Sequence, residues 1–223
     1  MRRVSDLSPT TIYSAKGHTV RILNLYAGIG GNRNNWGEDH TVTAVEYDPE
    51  IAAVYARMFP NDEVVVGDAL AYMMENYRDY DFIWASPPCP SHGQYRYNVG
   101  VRAKGYDPVI PDMTSLYGTI TFLRHHYDGL WAVENVVPYY EPLIEPTVIL
   151  QRHLVWSNFD IPERKFEAKG LRTKNKISDY AHMGIDLTNT RISNKRQVLR
   201  NAVDPELGEH ILVAANSARD SRD

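Results

Sequence analysis

Five short apolar runs alternate along the chain with stretches in which apolar side chains recur every three or four positions. The runs VRILNLY (20–26), TVTAVEY (41–47), EVVVGD (63–68), DFIWAS (81–86) and LWAVENV (130–136) are rich in β-branched and aromatic residues and predict strands. Nearly continuous apolar strands suit a parallel sheet covered on both faces. Between them, DPEIAAVYARMF predicts a helix capped by Asp48, with Pro49 at its first position and Ile51, Val54, Tyr55 and Met58 on one face. DMTSLYGTITFLRHHY predicts another, capped by Asp112, with Leu116, Ile120, Leu123 and Tyr127 as its stripe. Strands alternating with helices predict an α/β fold, a doubly wound, mostly parallel, Rossmann-like sheet.

Two segments break the pattern. Residues 90–111 carry glycines, prolines, Tyr95, Arg96, Tyr97, Arg102, Lys104 and Tyr106 without clean periodicity, and predict a long functional loop. Residues 160–195 are polar, basic and weakly periodic, and predict a small insertion beside the sheet. The chain then divides into a core over 1–159, the insertion over 160–195, and a C-terminal helix over 196–223 that returns to the core.

A length of 223 residues suits one α/β domain with a small appendage. No apolar run is long enough to span a membrane, and the two arginines near the N-terminus precede no apolar core, so a secretory signal is not expected. A single cysteine excludes an internal disulfide and a multi-cysteine zinc site; no metal is expected, and a reducing, cytoplasmic setting is. The net charge of −4 hides an asymmetry. Residues 1–150 hold 11 Lys/Arg against 18 Asp/Glu, a net of −7, whereas residues 151–200 hold 11 against 5, a net of +6. A basic segment on an acidic body fits contact with a polyanion, although a solvated surface would carry the same charges.

The first strand runs into NLYAGIGGNRNNW, where Gly28, Gly30 and Gly31 permit a tight turn and close approach of a ligand. Glu46 closes the second strand 18 residues after Gly28, the place from which a carboxylate holds a ribose diol. Asp68 closes the third and is placed to accept from an adenine amino group. The loop reads G-I-G-G-N-R, not G-x-G-x-x-G, so a pyrophosphate fingerprint is imperfect. A cationic sulfonium cofactor needs no phosphate cradle, and S-adenosylmethionine is favoured over a dinucleotide.

The one cysteine, Cys89, lies beyond the fourth apolar run, at the carboxyl edge where open α/β sheets place their chemistry. Pro87 and Pro88 stiffen its approach. Glu134, in AVENVVP, is expected to follow the fifth strand at the same crevice, so a thiol and a carboxyl group are expected side by side. A cysteine taken at random is more often buried and inert.

NLYAGIGG, VEYDPE, GDAL, SPPCPS, ENV, RHLVWSNF and RNAVDPELGEHIL occur in an order and spacing that resemble the DNA cytosine-5 methyltransferases, over roughly residues 21–213. The resemblance implies double-stranded DNA as partner and S-adenosylmethionine as cofactor, with the base flipped out of the duplex. It implies that Tyr26, Gly28, Gly30, Glu46, Tyr47 and Asp68 line the cofactor site, joined by Pro88 and Asn201. It makes Cys89 the nucleophile, has Glu134 and Asn135 hold the base, and has Arg152 touch it, with Gln151 and His153 competing for that last place. The oligomeric state is left open by the sequence, and a monomer is compatible with this reading.

The departures carry information. Asn24 stands where the family has Asp, Pro90 where it has Gln, and Arg200 where Gly is commoner before the Asn. The interval between WSNF and NAV is only about 40 residues and holds Arg164, Lys165, Lys169, Arg172, Lys174, Lys176, Arg191, Lys195 and Arg196. This marks a short member with a reduced target-recognition segment, which should read few bases. Methylation of an exocyclic amine, action on RNA, and a non-catalytic DNA-binding relative remain the alternatives. His92 and His153 are expected to be structural.

Overall fold

The structure, a computed structural model, describes residues 19–107, 110–166 and 183–222. Its centre is a seven-stranded sheet in the order β3-β2-β1-β4-β5-β7-β6. The strands are β1 (Arg21–Leu25), β2 (Thr41–Glu46), β3 (Glu63–Val66), β4 (Phe82–Ala85), β5 (Leu130–Val136), β6 (Val148–Leu150) and β7 (His153–Ser157). β1 to β5 pair in parallel, whereas β7 is antiparallel to both of its neighbours. The expected doubly wound, Rossmann-like α/β sheet is present. The order reverses between β1 and β4, and such a switch point opens a crevice at the carboxyl ends of the strands.

Alternation along β1 shows how the sheet is covered. Leu23 and Leu25 face a core shared with α2 (Ala69–Asn76) and α3 (Thr119–His126), which includes Met73, Ile120 and Leu123. Ile22 faces the other layer, where Leu207, Ile211 and Ala215 of α5 (Pro205–Asp220) cover Phe82 and Trp84. α1 (Pro49–Met58) places Val54 against Ile29 and against Leu199 of α4 (Lys195–Asn201). Asp48 caps α1 by accepting from the N–H groups of Glu50 and Ile51, with Pro49 at the first position as expected.

Three elements differ from the sequence reading. β3 stops at Val66, and Asp68 does not close it but caps α2, accepting from Ala71 N–H at 2.7 Å. The helix begun by Asp112 opens with a π-helical segment, Thr114–Gly118, before α3. The 90–111 loop is partly helical, with a second π-helical segment at Arg96–Ala103. Of the basic patch, Lys169, Arg172, Lys174 and Lys176 lie outside the described residues, as does the N-terminal segment through His18. No helix among the described residues is long and apolar enough to cross a membrane.

Candidate active site

One cavity of about 1370 Å³ opens at the carboxyl edge of the sheet. It exceeds the ~300–1,000 Å³ of a typical single-ligand pocket, so there is room for two ligands together. Its floor is the glycine turn. Tyr26 and Gly28 both take left-handed φ, 56° and 57°, which turn the chain sharply off β1. Glu46 pins this turn: one carboxylate oxygen accepts from Gly28 N–H at 2.8 Å and the other from Asp48 N–H at 2.9 Å. Each oxygen keeps a lone pair for a ligand hydroxyl. Nothing lies within 4 Å of where a Cβ on Gly28 would stand, so the backbone there is open to close approach. Tyr47, 78% exposed as a residue, lines the same wall and offers an aromatic face for stacking. Asp68, Pro88 and Asn201 also line the cavity.

Gly30 is not among the lining residues, contrary to expectation. A Cβ there would stand 2.2 Å from the Phe59 ring, so Gly30 makes room for core packing and not for a ligand. Asn24 is fully buried in β1, where its side-chain carbonyl accepts from the Asn32 amide at 2.9 Å. This neutral amide pair ties the segment after the glycine turn back to β1 without burying a charge. Arg33 beside it is also buried and forms a two-pronged ion pair with Asp62, at 2.9 and 3.0 Å.

The opposite wall carries the thiol and the carboxyl group. Ala85 of β4 lies level with Val133 of β5, so Glu134 emerges beside Ser86, just before the Pro-Pro-Cys turn. The Cys89 carbonyl accepts from the N–H groups of His92 and Gly93, a tight turn that leaves the side chain half-buried in the cavity. Burial pushes the Cys89 thiol up to about 11, with a further rise from the Glu134 charge; Arg152 and Arg200 oppose it. Burial likewise raises Glu134 to about 7, against the Ser86 hydroxyl and Arg152. A carboxyl group so poised holds or releases a proton near neutrality.

Asn135 has partners of its own in the protein. Its amide donates to the Pro87 carbonyl at 2.9 Å, and its side-chain oxygen accepts from Val136 N–H. It is a clasp between β5 and the Pro-Pro-Cys turn, and it still lines the cavity with one amide hydrogen beyond the Pro87 bond. The tight Gln151–Arg152 hairpin, with φ 56° at Gln151, puts Arg152 exposed at the cavity rim and His153 at the start of β7. His153 is buried, with Nε2 3.6 Å from Oε1 of Glu134. Nothing in the local sequence marks this contact, because it depends on the antiparallel register of β5 with β7. His92 is structural: it meets the Tyr140 hydroxyl at 2.5 Å and, with the Gly93–Pro138 bridge, anchors the loop that follows Cys89.

The family model of C-5 cytosine-specific DNA methylases matches residues 20–106. The matched stretch holds the glycine turn, Glu46, Asp68 and Cys89, and stops before Glu134, Arg152 and Asn201. A comparison with curated proteins returns no match. Similar solved structures include a putative methyltransferase, yhhF, from Escherichia coli, at 14% identity and TM-score 0.39, covering 62% of this chain and 74% of that one. A DNMT2 mutant from Spodoptera frugiperda is 26% identical with TM-score 0.38, over 53% of this chain and 36% of that one. A putative DNA modification methyltransferase encoded within an E. coli prophage is 20% identical with TM-score 0.37, over 55% and 34%. The chain thus spans about a third of the length of the latter two.

Proposed function

We propose that this chain transfers a methyl group from S-adenosylmethionine to C5 of a cytosine flipped out of double-stranded DNA, through a covalent bond between Cys89 and C6. The observation that carries the reading is the meeting of Cys89 and Glu134 in one cavity with the glycine turn and Glu46. The match of residues 20–106 to the cytosine-specific family supports it.

The cavity fits the cofactor. The Glu46 carboxylate would hold the ribose diol, the Tyr47 ring would stack on the adenine, and Asp68 would accept from its amino group with the oxygen its cap leaves free. Gly28 would allow close approach, with Tyr26, Pro88 and Asn201 completing the wall. When bound, S-adenosylmethionine supplies an electrophilic methyl group on a sulfonium centre.

The protein's own groups prepare the base. Cytosine C5 is a weak nucleophile. Addition of the Cys89 thiolate at C6, with a proton passing from the Glu134 carboxyl to N3, turns the ring into an enamine nucleophilic at C5. Glu134 and Arg152 would contact the base, with Asn135 holding the Pro-Pro-Cys turn in place. After methylation, the C5 proton passes to solvent water, its bonding pair re-forms the C5=C6 bond, and the C6–S bond breaks to release the Cys89 thiolate. The thiolate forms more readily once Glu134 is protonated, because the neighbouring negative charge has then gone.

The short interval between β7 and α4 is the proposed recognition segment, and it would confer a short or relaxed sequence preference. Labelled methyl transfer to DNA by the wild type, absent in Cys89→Ala, tests the reading. DNA carrying cytosine fluorinated at C5 should trap a stable adduct at Cys89, since the proton that must leave is missing. Methylation of an exocyclic nitrogen, or of an RNA oligonucleotide but not DNA, would overturn it.

A further inference from the structure

We propose that His153 is the positioning residue of Glu134: its neutral imidazole presents Nε2–H to Oε1 and thereby leaves the carboxyl proton on Oε2. This rests on the proposed reaction, in which Glu134 gives a proton to the base.

The contact follows from strand register. Glu134 lies opposite Val155, and His153 lies two residues before Val155 on the same strand. Side chains two apart share a face, so Glu134 and His153 are diagonal cross-strand neighbours. Both are about 5% exposed, with Nε2 and Oε1 3.6 Å apart. Among the described residues, the charged and titratable groups around the pair are Cys89, after β4, and Arg152, at the hairpin tip.

One orphan atom decides the tautomer. Nδ1 of His153 is buried with no hydrogen-bond partner among the described residues. An orphaned N–H is costlier and rarer than a bare acceptor, so Nδ1 is the bare nitrogen and Nε2 carries the hydrogen. That hydrogen faces Oε1. A carboxyl proton on Oε1 would meet it head-on, so the proton belongs on Oε2. Burial and Arg152 push the imidazole down to about 3, which keeps it neutral.

The consequence for the step is balanced. The Oε2–H bond breaks as N3–H forms, and the carboxylate left behind is met at Oε1 by Nε2–H, the pair closing from 3.6 Å to hydrogen-bond length. When the thiol leaves, the proton returns from N3.

Nitrogen-15 NMR of the wild-type protein labelled at histidine, with His153 assigned by loss of its signals in His153→Gln, should show an Nε2–H neutral ring across about pH 5–8. His153→Leu removes the donor. Since a hydrogen bond to a charged group is then lost, single-turnover methyl transfer should fall about 10- to 100-fold. KM for S-adenosylmethionine should stay unchanged. The pH above which activity declines should move upward, because the carboxyl group holds its proton longer. His153→Gln, which keeps an N–H donor, should recover most of the rate. An Nδ1–H or doubly protonated ring, or a wild-type pH profile in His153→Leu, would overturn the proposal. A wild type that binds DNA yet transfers no methyl would instead sink the proposed reaction, and the NMR measurement would still decide the tautomer.

Discussion

Cys89 and Glu134 oppose each other electrically as much as they cooperate. The thiol, at about 11, is held protonated partly by the charge on Glu134, which itself titrates near 7. The chain has one cysteine, so any thiol reagent reports on Cys89 alone. Iodoacetamide should therefore alkylate Glu134→Gln faster than wild type at pH 8, where the wild-type carboxylate is ionised. The two rates should converge near pH 6, where wild-type Glu134 is already protonated. Arg152→Gln should react more slowly at every pH, since a stabilising cation is gone. Each unit by which the thiol pKa moves changes the thiolate fraction about tenfold. Equal rates for all three proteins at pH 8 would mean that these side chains do not sense one another. The sequence made Cys89 and Glu134 legible, the thiol by its place beyond the fourth apolar run and the carboxyl group as the one acid in the fifth. It did not make His153 legible, because its significance arises only across the β5–β7 pair.

The glycine turn acts as an element through its packing against the last two helices. A Cβ on Gly31 would stand 2.3 Å from the Val203 carbonyl, and one on Gly208 would stand 2.2 Å from the Asn32 carbonyl. Two glycines from opposite ends of the chain thus let α5 sit directly on the segment that follows the glycine turn. Gly208→Ala should destabilise the protein by about 1–3 kcal/mol, the cost of overpacking a close contact, although alanine is the better helix former. Urea unfolding would read the loss, and weaker cofactor binding should accompany it because the turn is displaced. Unchanged or raised stability would show that the helix can shift without cost. The sequence pointed to Gly28 and Gly30 as ligand-facing; Gly30 in fact faces Phe59, and the demand for Gly208 was invisible in a helix that carries no other sign of a close approach.

At the scale of the molecule, the acid at the centre of the site limits stability. Glu134 has its pKa raised from 4.5 to about 7, so the folded protein binds the proton more tightly than the unfolded chain. Stability on this account is intact below pH 4.5 and declines as pH rises through about 7. Above that it is lower by about 3 kcal/mol. Glu134→Gln removes the penalty, so its stability relative to wild type should grow between those limits and then level off. The opposite penalty of His153, which must stay neutral when acid would charge it, is common to both proteins and cancels. Denaturant titrations at pH 4.5 and 8 with the same difference between variant and wild type would refute the buried acid.

The sequence by itself determined what depends on neighbours along the chain. Apolar runs and three-to-four spacing set the sheet and its covering helices, Asp48-Pro49 set the start of α1, and the strand ends marked Glu46 and Cys89, whereas Glu134, expected after the fifth strand, lies within β5. Only the tertiary structure decided what depends on register between strands far apart in sequence. It turned β7 antiparallel, brought His153 to Glu134, assigned the Asn135 amide to Pro87 and buried the Arg33–Asp62 pair beneath the glycine turn. Periodicity reports which face of an element is apolar; it carries no record of which partner, at which level, that face will meet.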